Sequence, residues 1–374
     1  MFLKVNRSEF LKNLRIVEKA IGENKIRPIL SCVYVRTEGN KLLFCGTNLE
    51  LTIKTKMESE VFEEGRMVFQ PQLIDEYIKE ISDEFVTLKT DGETLVIETE
   101  DSSSEFAIMD VEEYPTISNT NMEEVEKCLS IKENELLNVF GKVKFSAAQS
   151  ADNLSINCIR IDMSDKVARF ISTDTYRLTY LMKEVESDSK LSVSVPLNTV
   201  DAITKLLKND SEEIINISKR DNKIYFTLGE VEIISRIIEL SFPNYEGILS
   251  GALYNKTMIT ANEDILKIFK RVLIFVKNNV ESKNGAIFKF SDNRMVINGV
   301  NDIAKINEDS EVNFSGEDLK ISLNVKFLLE FLQNLEKDDT ITLEFKESNS
   351  SVRLTSKNNE DYIYVVMPLA LKDI

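Results

Sequence analysis

The sequence predicts an α+β protein of three repeated domains, each with two helices packed on antiparallel sheets. Three observations carry this. Five of the six prolines fall on one frame: Pro115, Pro243 and Pro368 are 128 and 125 residues apart, and Pro71 and Pro196 are also 125 apart. Amphipathic segments recur on the same frame, and so does a strand pair with a small-residue turn. The domains fall at 1–122, 123–252 and 253–374, each long enough for its own core.

The first helix of each repeat begins at Ser8 ("SEFLKNLRIVEKAI"), Lys132 ("KENELLNVFGKV") and Asn262 ("NEDILKIFKRVLIFV"). Each carries apolar residues at i, i+3, i+4 and i+7 and opens on capping or acidic residues. The second begins at Pro71 ("PQLIDEYIKEIS"), Pro196 ("PLNTVDAITKLL") and Asn324 ("NVKFLLEFLQNL"). Proline suits a first helical turn, where its missing N–H has no partner to lose. Within each repeat the two starts differ by about 63 residues, as from 133 to 196, so each repeat reads as two copies of a helix-plus-strands unit.

The strand pairs between the helices span 41–55, 166–180 and 294–308, each a β-rich run, an Asn/Asp turn and an alternating run. Alternating strands follow the second helix, as in "FVTLKTDGETLVIETE" with its Asp-Gly hairpin signal. Domain boundaries fall in the polar stretches 118–126 and 250–257.

Composition narrows the function. The chain has no histidine, which removes Ser–His, Cys–His and histidine acid–base chemistry and His-built zinc sites. It lacks a Walker-type phosphate loop and a G-x-G-x-x-G turn, and none of its 63 acidic residues forms a distinctive pair. No catalytic residue, metal or cofactor is expected. Cys32, Cys45, Cys128 and Cys158 stand singly among apolar neighbours, as buried reduced thiols of a cytoplasmic protein do. No membrane span or signal peptide is legible. The net charge of −17 disfavours indiscriminate adhesion to nucleic acid.

Against that charge, the helices carry cations. Ser8, Lys12, Arg15 and Lys19 form one mostly basic stripe, Lys205 and Lys208 recur in the fourth helix, and Lys267, Lys270 and Arg271 cluster in the fifth. Lys79 is alone in the second helix, and the sixth mixes Lys326, Glu330 and Lys337. Singly these read as solvated faces; on helices repeated along one side of a sheet layer they suggest a basic surface on an acidic protein.

The chain resembles the bacterial DNA polymerase III beta subunit family, the replicative sliding clamps. The resemblance spans its length and is most specific in "FSAAQSADNLSINCIRID" (145–162), "STDTYRLTY" (172–180), "FPNYEGIL" (242–249) and "YVVMPLAL" (364–371). It implies the DNA clamp fold, each chain forming half of a closed ring, and a head-to-tail homodimer that encircles duplex DNA without reading sequence. Retention is then topological, so an acidic exterior is compatible with DNA binding. The implied partners are the replicative polymerase's catalytic subunit, an ATP-driven clamp loader, other polymerases and mismatch-repair proteins.

By resemblance, an apolar cleft for partner peptides would use Ile156, Thr173, Thr175, Tyr176, Arg177, Leu178, Pro243, Gly247, Ile248, Ser351, Val365, Val366, Met367, Pro368 and Leu369. Such side chains make an adaptable groove for one or two apolar anchors, with Arg177 fixing the peptide's polar ends. Tyr176 stands where many clamps have His, Gly247 where some have Arg, and Lys372, Asp373 and Ile374 extend past the usual apolar end. DNA-facing positions would add Lys25 and Arg27 in the loop 22–30, and Gln149 and Ser150. The ring interface would use Phe106, Ile108, Ile274 and Phe275. Two rival readings are a repeat-built peptide scaffold that does not encircle DNA and a carboxylate-dependent hydrolase.

The ending "VVMPLALKDI" fits the same frame. In the first two repeats the strand-then-proline element, "IMDVEEYPTI" and "IELSFPNYEGIL", leads into a next domain. In the third, its apolar residues are left to line a surface.

Overall fold

The computed structural model describes residues 1–117, 125–251, 253–277 and 284–370. The expected boundaries near 122 and 252 and the extension Lys372–Ile374 lie outside the described residues.

The first repeat runs β1 (Phe2–Asn6), α1 (Arg7–Val17), β2 (Val33–Glu38), β3 (Lys41–Thr47), β4 (Leu51–Glu58), β5 (Glu60–Glu63), β6 (Arg66–Phe69), α2 (Pro71–Glu80), β7 (Phe85–Asp91), β8 (Thr94–Glu98) and β9 (Ser103–Ala107). The second runs β10 (Lys127–Lys132), α3 (Glu133–Lys144), β11 (Cys158–Ser164), β12 (Val167–Thr173), β13 (Arg177–Glu184), β14 (Leu191–Pro196), α4 (Leu197–Thr204), β15 (Ile214–Arg220), β16 (Lys223–Leu228), β17 (Val231–Arg236) and a short α5 (Tyr245–Ser250). The third runs β18 (Lys256–Ala261), α6 (Asn262–Val276), β19 (Gly285–Ser291), β20 (Arg294–Val300), β21 (Lys305–Glu311), β22 (Asn313–Ser315), β23 (Leu319–Asn324), α7 (Val325–Leu332), β24 (Thr340–Phe345), β25 (Val352–Ser356) and β26 (Asn359–Val366).

The six helices fall where the frame puts them. Asn6 accepts from the N–H groups of Ser8 and Glu9 to cap α1, Pro71 opens α2, and Asn324 caps α7 through Phe327 N–H. Two details differ from expectation. Pro196 ends β14 rather than starting α4, and α4 stops at Thr204, so Lys205 and Lys208 follow that helix instead of riding on it. The β7–β8 loop is Gly92-Glu93, Gly92 taking φ 58°, a backbone that suits glycine.

Each half-repeat is a β-α-β-β-β unit, and the halves exchange first strands. The first strand of one half pairs in the sheet of the other: β1 with β7 and β6 with β2, β10 with β15 and β14 with β11, β18 with β24 and β23 with β19.

The chain divides into two compact units, 1–137 with 198–237, and 138–197 with 238–374. The first holds a sheet in the order β5-β1-β7-β8-β9 and an eight-stranded sheet, β10-β15-β16-β17-β4-β3-β2-β6. Its core gathers Phe10, Phe44, Phe69 and Phe226, with Phe10 and Phe44 edge to face at 5.1 Å. Helix α1 lies so close to β3 that a Cβ at Gly46 would stand 2.3 Å from Val17 O, so glycine is needed there. The second unit holds a nine-stranded sheet, β14-β11-β12-β13-β26-β25-β24-β18-β22, and a four-stranded one, β21-β20-β19-β23. Its core includes Phe140, Phe170, Phe288, Phe331, Tyr362 and Tyr364.

Two sheets therefore run continuously across repeats, through β17–β4 in the first unit and β26–β13 in the second. All four cysteines are buried free thiols. Among the described residues no helix is long and apolar enough to cross a membrane.

Candidate functional site

The β12–β13 turn sets one rim of the expected groove. Thr173 Oγ1 donates to Arg177 O at 2.6 Å and accepts from Thr175 N–H, while Asp174 Oδ1 accepts from Tyr176 N–H and Arg177 N–H. This frame holds Thr175 at φ 77° and lifts Tyr176 into solvent, 57% exposed. Tyr176 O in turn accepts from Met367 N–H at 2.8 Å, and Ser322 O accepts from Leu369 N–H at 2.8 Å. Pro368 between them has no N–H to satisfy. The apolar segment after β26 is strapped at both ends.

The floor forms where β13 meets β26. Leu178 stands opposite Val365, and these two cluster with Ile171 and Tyr245, edged by Tyr180, Phe242, Leu249 and Ile363. Asn244 caps α5 through Gly247 N–H at 3.1 Å, which brings Tyr245 onto the sheet and leaves Ile248 exposed. Tyr176, Pro243, Gly247, Ile248 and Met367 are exposed and Pro368 and Leu369 half-buried, whereas Ile156, Leu178, Val365 and Val366 are buried. Ser351 is half-buried beside Tyr254, 3.5 Å between hydroxyls. Tyr180, Phe242, Tyr245, Leu249 and Ile363 were not selected from sequence. Strand alternation from Leu178 and Val365 points to Tyr180 and Ile363, and the other three lie inside "FPNYEGIL".

Arg177 faces away from the groove floor. Alternation sends it to the sheet face opposite Leu178, where it is 9% exposed. Its guanidinium lies 4.1 Å from the Phe327 ring centroid and 5.5 Å from that of Phe145. Nε donates to Asp174 Oδ2 at 2.9 Å, Nη2 to Phe145 O at 2.7 Å, and Nη1 closely to Glu330. Burial alone would lower its pKa, but Tyr364, Glu330 and Asp174 hold it above the ordinary value. Arg177 thus anchors the turn from behind, each of its three nitrogens donating to a group of the protein.

The first unit contains the counterpart junction. Its turn repeats the same bonds, Thr47 Oγ1 to Leu51 O and Asn48 Oδ1 from the N–H groups of Glu50 and Leu51, with Leu49 at φ 78°. A cavity of about 130 Å³ there has a mixed lining that includes Leu49, Pro115 and Ile117 as well as Thr52, Lys54, Ile234 and Arg236, the last four in the places of Leu178, Tyr180, Val365 and Met367. At the β13–β26 junction apolar residues stand where the first unit has Thr52, Lys54 and Arg236.

The helix cations are exposed, but acids hold most of them. Arg15 makes a two-pronged pair with Asp75, at 2.6 and 3.0 Å, and Arg271 one with Glu308, both arms at 2.7 Å. Arg271 holds the Glu308 carboxyl below its ordinary value. Lys12 lies 3.5 Å from Glu9, Lys25 3.6 Å from Glu23, Lys79 3.9 Å from Glu80 and Lys267 2.8 Å from Glu263. Among the described residues Lys19, Arg27, Lys205, Lys208 and Lys270 make no ion pair. Gln149 and Ser150 are exposed, Gln149 Nε2 donating to Ala147 O and Ser150 Oγ to Asp152.

The last strands of two half-repeats lie at open sheet edges. Among the described residues β9 pairs only with β8 and β21 only with β20. Phe106 on β9 is half-buried, its ring 5.5 Å from Tyr77, and Ile108 N–H donates to Glu93 O at 2.9 Å. Ile274 is 72% exposed and Phe275 half-buried. Sequence reading missed three exposed side chains on these ends: Leu73 at 64%, Ile303 at 94%, and Lys305.

Comparison with known proteins bears on the whole chain. Models of the DNA polymerase III beta subunit match it in order, the N-terminal domain at 1–118, the central domain at 130–244 and the C-terminal domain at 253–370. A beta sliding clamp of Pseudomonas putida is 25% identical over 378 residues, covering 99% of this chain and 100% of the relative. The fold matches the DNA polymerase III beta subunit from Thermotoga maritima with a TM-score of 0.89 at 22% identity, covering 99% of this chain and 100% of that one. It matches the DNA polymerase sliding clamp from Bacillus subtilis with a TM-score of 0.92 at 18% identity, covering 100% of both.

Proposed function

The chain belongs to the DNA polymerase III beta subunit family, and on that premise we propose that it is a sliding clamp that closes head to tail with a second copy around duplex DNA. It is a processivity factor and not itself catalytic. The observation that carries the ring is the pairing of repeats: β17 closes on β4 and β26 on β13, and the same rule leaves β9 and β21 as unmatched complements. An interface joining unlike surfaces closes into a ring when its rotation allows.

DNA inside such a ring meets Lys12, Arg15, Lys19, Lys25, Arg27, Lys79, Gln149, Ser150, Lys205, Lys208, Lys267, Lys270 and Arg271. Because acids neutralise many of these cations, each phosphate contact is weak, which suits sliding more than gripping. The groove at the β13–β26 junction takes the apolar anchors of a short peptide from the replicative polymerase. Other polymerases, mismatch-repair proteins and an ATP-driven loader share it. We assign the three domains to 1–122, 123–252 and 253–374.

Primer extension on a circular template tests this reading. With loader and cognate polymerase the wild type lengthens products, and Met367→Asp with Ile248→Asp removes the gain. Equal product lengths with and without the clamp overturn it in favour of a scaffold that does not encircle DNA.

A further inference from the structure

The β4–β17 junction of the first unit keeps the backbone plan of the groove and changes its chemistry. Arg236 N–H donates to Glu50 O at 2.9 Å as Met367 N–H does to Tyr176 O at 2.8 Å, so Arg236 stands in the place of Met367. Ile234 faces Thr52 and Glu232 faces Lys54, as Val365 faces Leu178 and Ile363 faces Tyr180. Thr55 Oγ1 donates to Asn13 on α1, so alternation turns Lys54 and Thr52 to the sheet face away from that helix. The cavity of about 130 Å³ lies on that face. Its lining combines Leu49, Pro115 and Ile117 with three cations, Lys54, Lys223 and Arg236.

These cations sit against their own electrostatics. Arg220 stands directly opposite Lys223 across β15 and β16, and Lys223 directly opposite Arg236 across β16 and β17, so three cations lie abreast. Like charges directly opposed on antiparallel strands destabilise the pairing. Glu50 lies 3.7 Å from Arg236 at one end of the row, and among the described residues Arg220 and Lys223 make no ion pair. Lys54 is 5% exposed, and burial holds its amine below the ordinary value although Glu232 lies 3.9 Å away. Among the described residues that line the cavity, Glu50 is the one acid against three cations.

We propose that this junction is a second docking site, for an acidic peptide segment of a partner protein that carries one aliphatic residue between carboxylates. The cavity has room for one such side chain against Leu49, Pro115 and Ile117. Leu49, 42% exposed, forms its open rim. Carboxylates on either side of the anchor pair with Lys223 and Arg236 and relieve the repulsion along the row. Charge complementarity separates the two junctions. Lys223 opposes Arg236 here, whereas Ser351 falls opposite Met367, one step past the Val352–Val366 pair, so the groove at β13–β26 has no matching cations at these two positions. The site lies on the face away from α1, apart from the α1 cations Lys12 and Arg15 assigned to DNA. The inference does not depend on ring closure.

Fluorescence anisotropy with the full chain tests the site. A labelled Asp-Glu-Leu-Glu-Asp peptide binds saturably, and its neutral analogue Asn-Gln-Leu-Gln-Asn binds severalfold more weakly. Lys223→Glu weakens the acidic peptide roughly tenfold. The same substitution leaves or raises the denaturant midpoint, because it puts a carboxylate between Arg220 and Arg236. Leu49→Asn, a side chain that tolerates φ 78°, weakens the peptide severalfold with the fold intact. Met367→Asp with Ile248→Asp binds it as the wild type does. No binding by the wild type, equal binding of the neutral analogue, or a loss confined to the Met367 and Ile248 variant overturns the second site. Displacement of the peptide by excess duplex DNA assigns these cations to phosphates and overturns it as well.

Discussion

Leu178 and Val365 face each other across β13 and β26, from different repeats, within an apolar cluster that includes Ile171 and Tyr245. Their counterparts Thr52 and Ile234 make the same strand pair in the first unit, beside Lys54 and Arg236. One backbone plan thus yields two junctions with different side chains, and the one at β13–β26 is the proposed polymerase-docking groove.

Met367 and Ile248 are 43% and 39% exposed, so trimming them spares the fold. Burying an aliphatic side chain contributes about 1.5–3 kcal/mol. Met367→Ala should therefore weaken a polymerase-derived peptide roughly tenfold to a hundredfold, read by fluorescence anisotropy, with unfolding unchanged. Unaltered affinity would place the peptide elsewhere.

Arg177→Ala should act oppositely. It leaves Asp174 without its cation and Glu330 with only Lys326, 3.8 Å away; breaking a fully buried pair costs about 3–5 kcal/mol, and these partly exposed carboxylates reduce that. Denaturant unfolding measures this. Arg177→Lys rescues little, because one ammonium cannot reproduce the fork that meets Asp174, Glu330 and Phe145 O. A loss of peptide binding at full stability would return Arg177 to the groove.

The buried thiols predict an alkaline limit. Burial pushes Cys32 and Cys158 up to about 11 and Cys45 up to about 12, from an ordinary 9.0. The folded state keeps these protons while the unfolded chain sheds them. The stability they contribute is complete below pH 9.0 and falls as pH rises toward 11 to 12. At pH 8 the native protein should leave these thiols unlabelled by a thiol reagent over minutes, and denaturation should expose them; rapid native labelling contradicts the burial.

On the DNA side, Lys19→Ala should lower the slope of log affinity against log salt by about 0.9, one phosphate contact. Arg15→Ala should change it less, because Asp75 already holds that guanidinium from two sides. Equal changes would mean that DNA displaces Asp75.

For the ring interface, Ile274→Asp with Phe275→Asp should give a folded monomer in sedimentation. An unchanged dimer mass contradicts that assignment.

The proline frame and the helix starts were legible because each rests on local chemistry: caps, a first-turn proline, a 3.6-residue period. The first-strand exchange was not, since β1 and β6 carry no mark of which sheet they join. Arg177 and Leu178 are adjacent in sequence, yet alternation puts them on opposite faces, which the resemblance that grouped them did not show. The ion pairs of the helix cations were illegible for another reason. Asp75 and Glu308 lie 60 and 37 residues from the arginines they neutralise, and only the fold brings them together.

The central claim is topological retention. Clamp loaded by an ATP-driven loader onto nicked circular DNA should stay bound through gel filtration, and cutting the circle once should release it. Equal loss from circular and linear DNA would contradict encirclement.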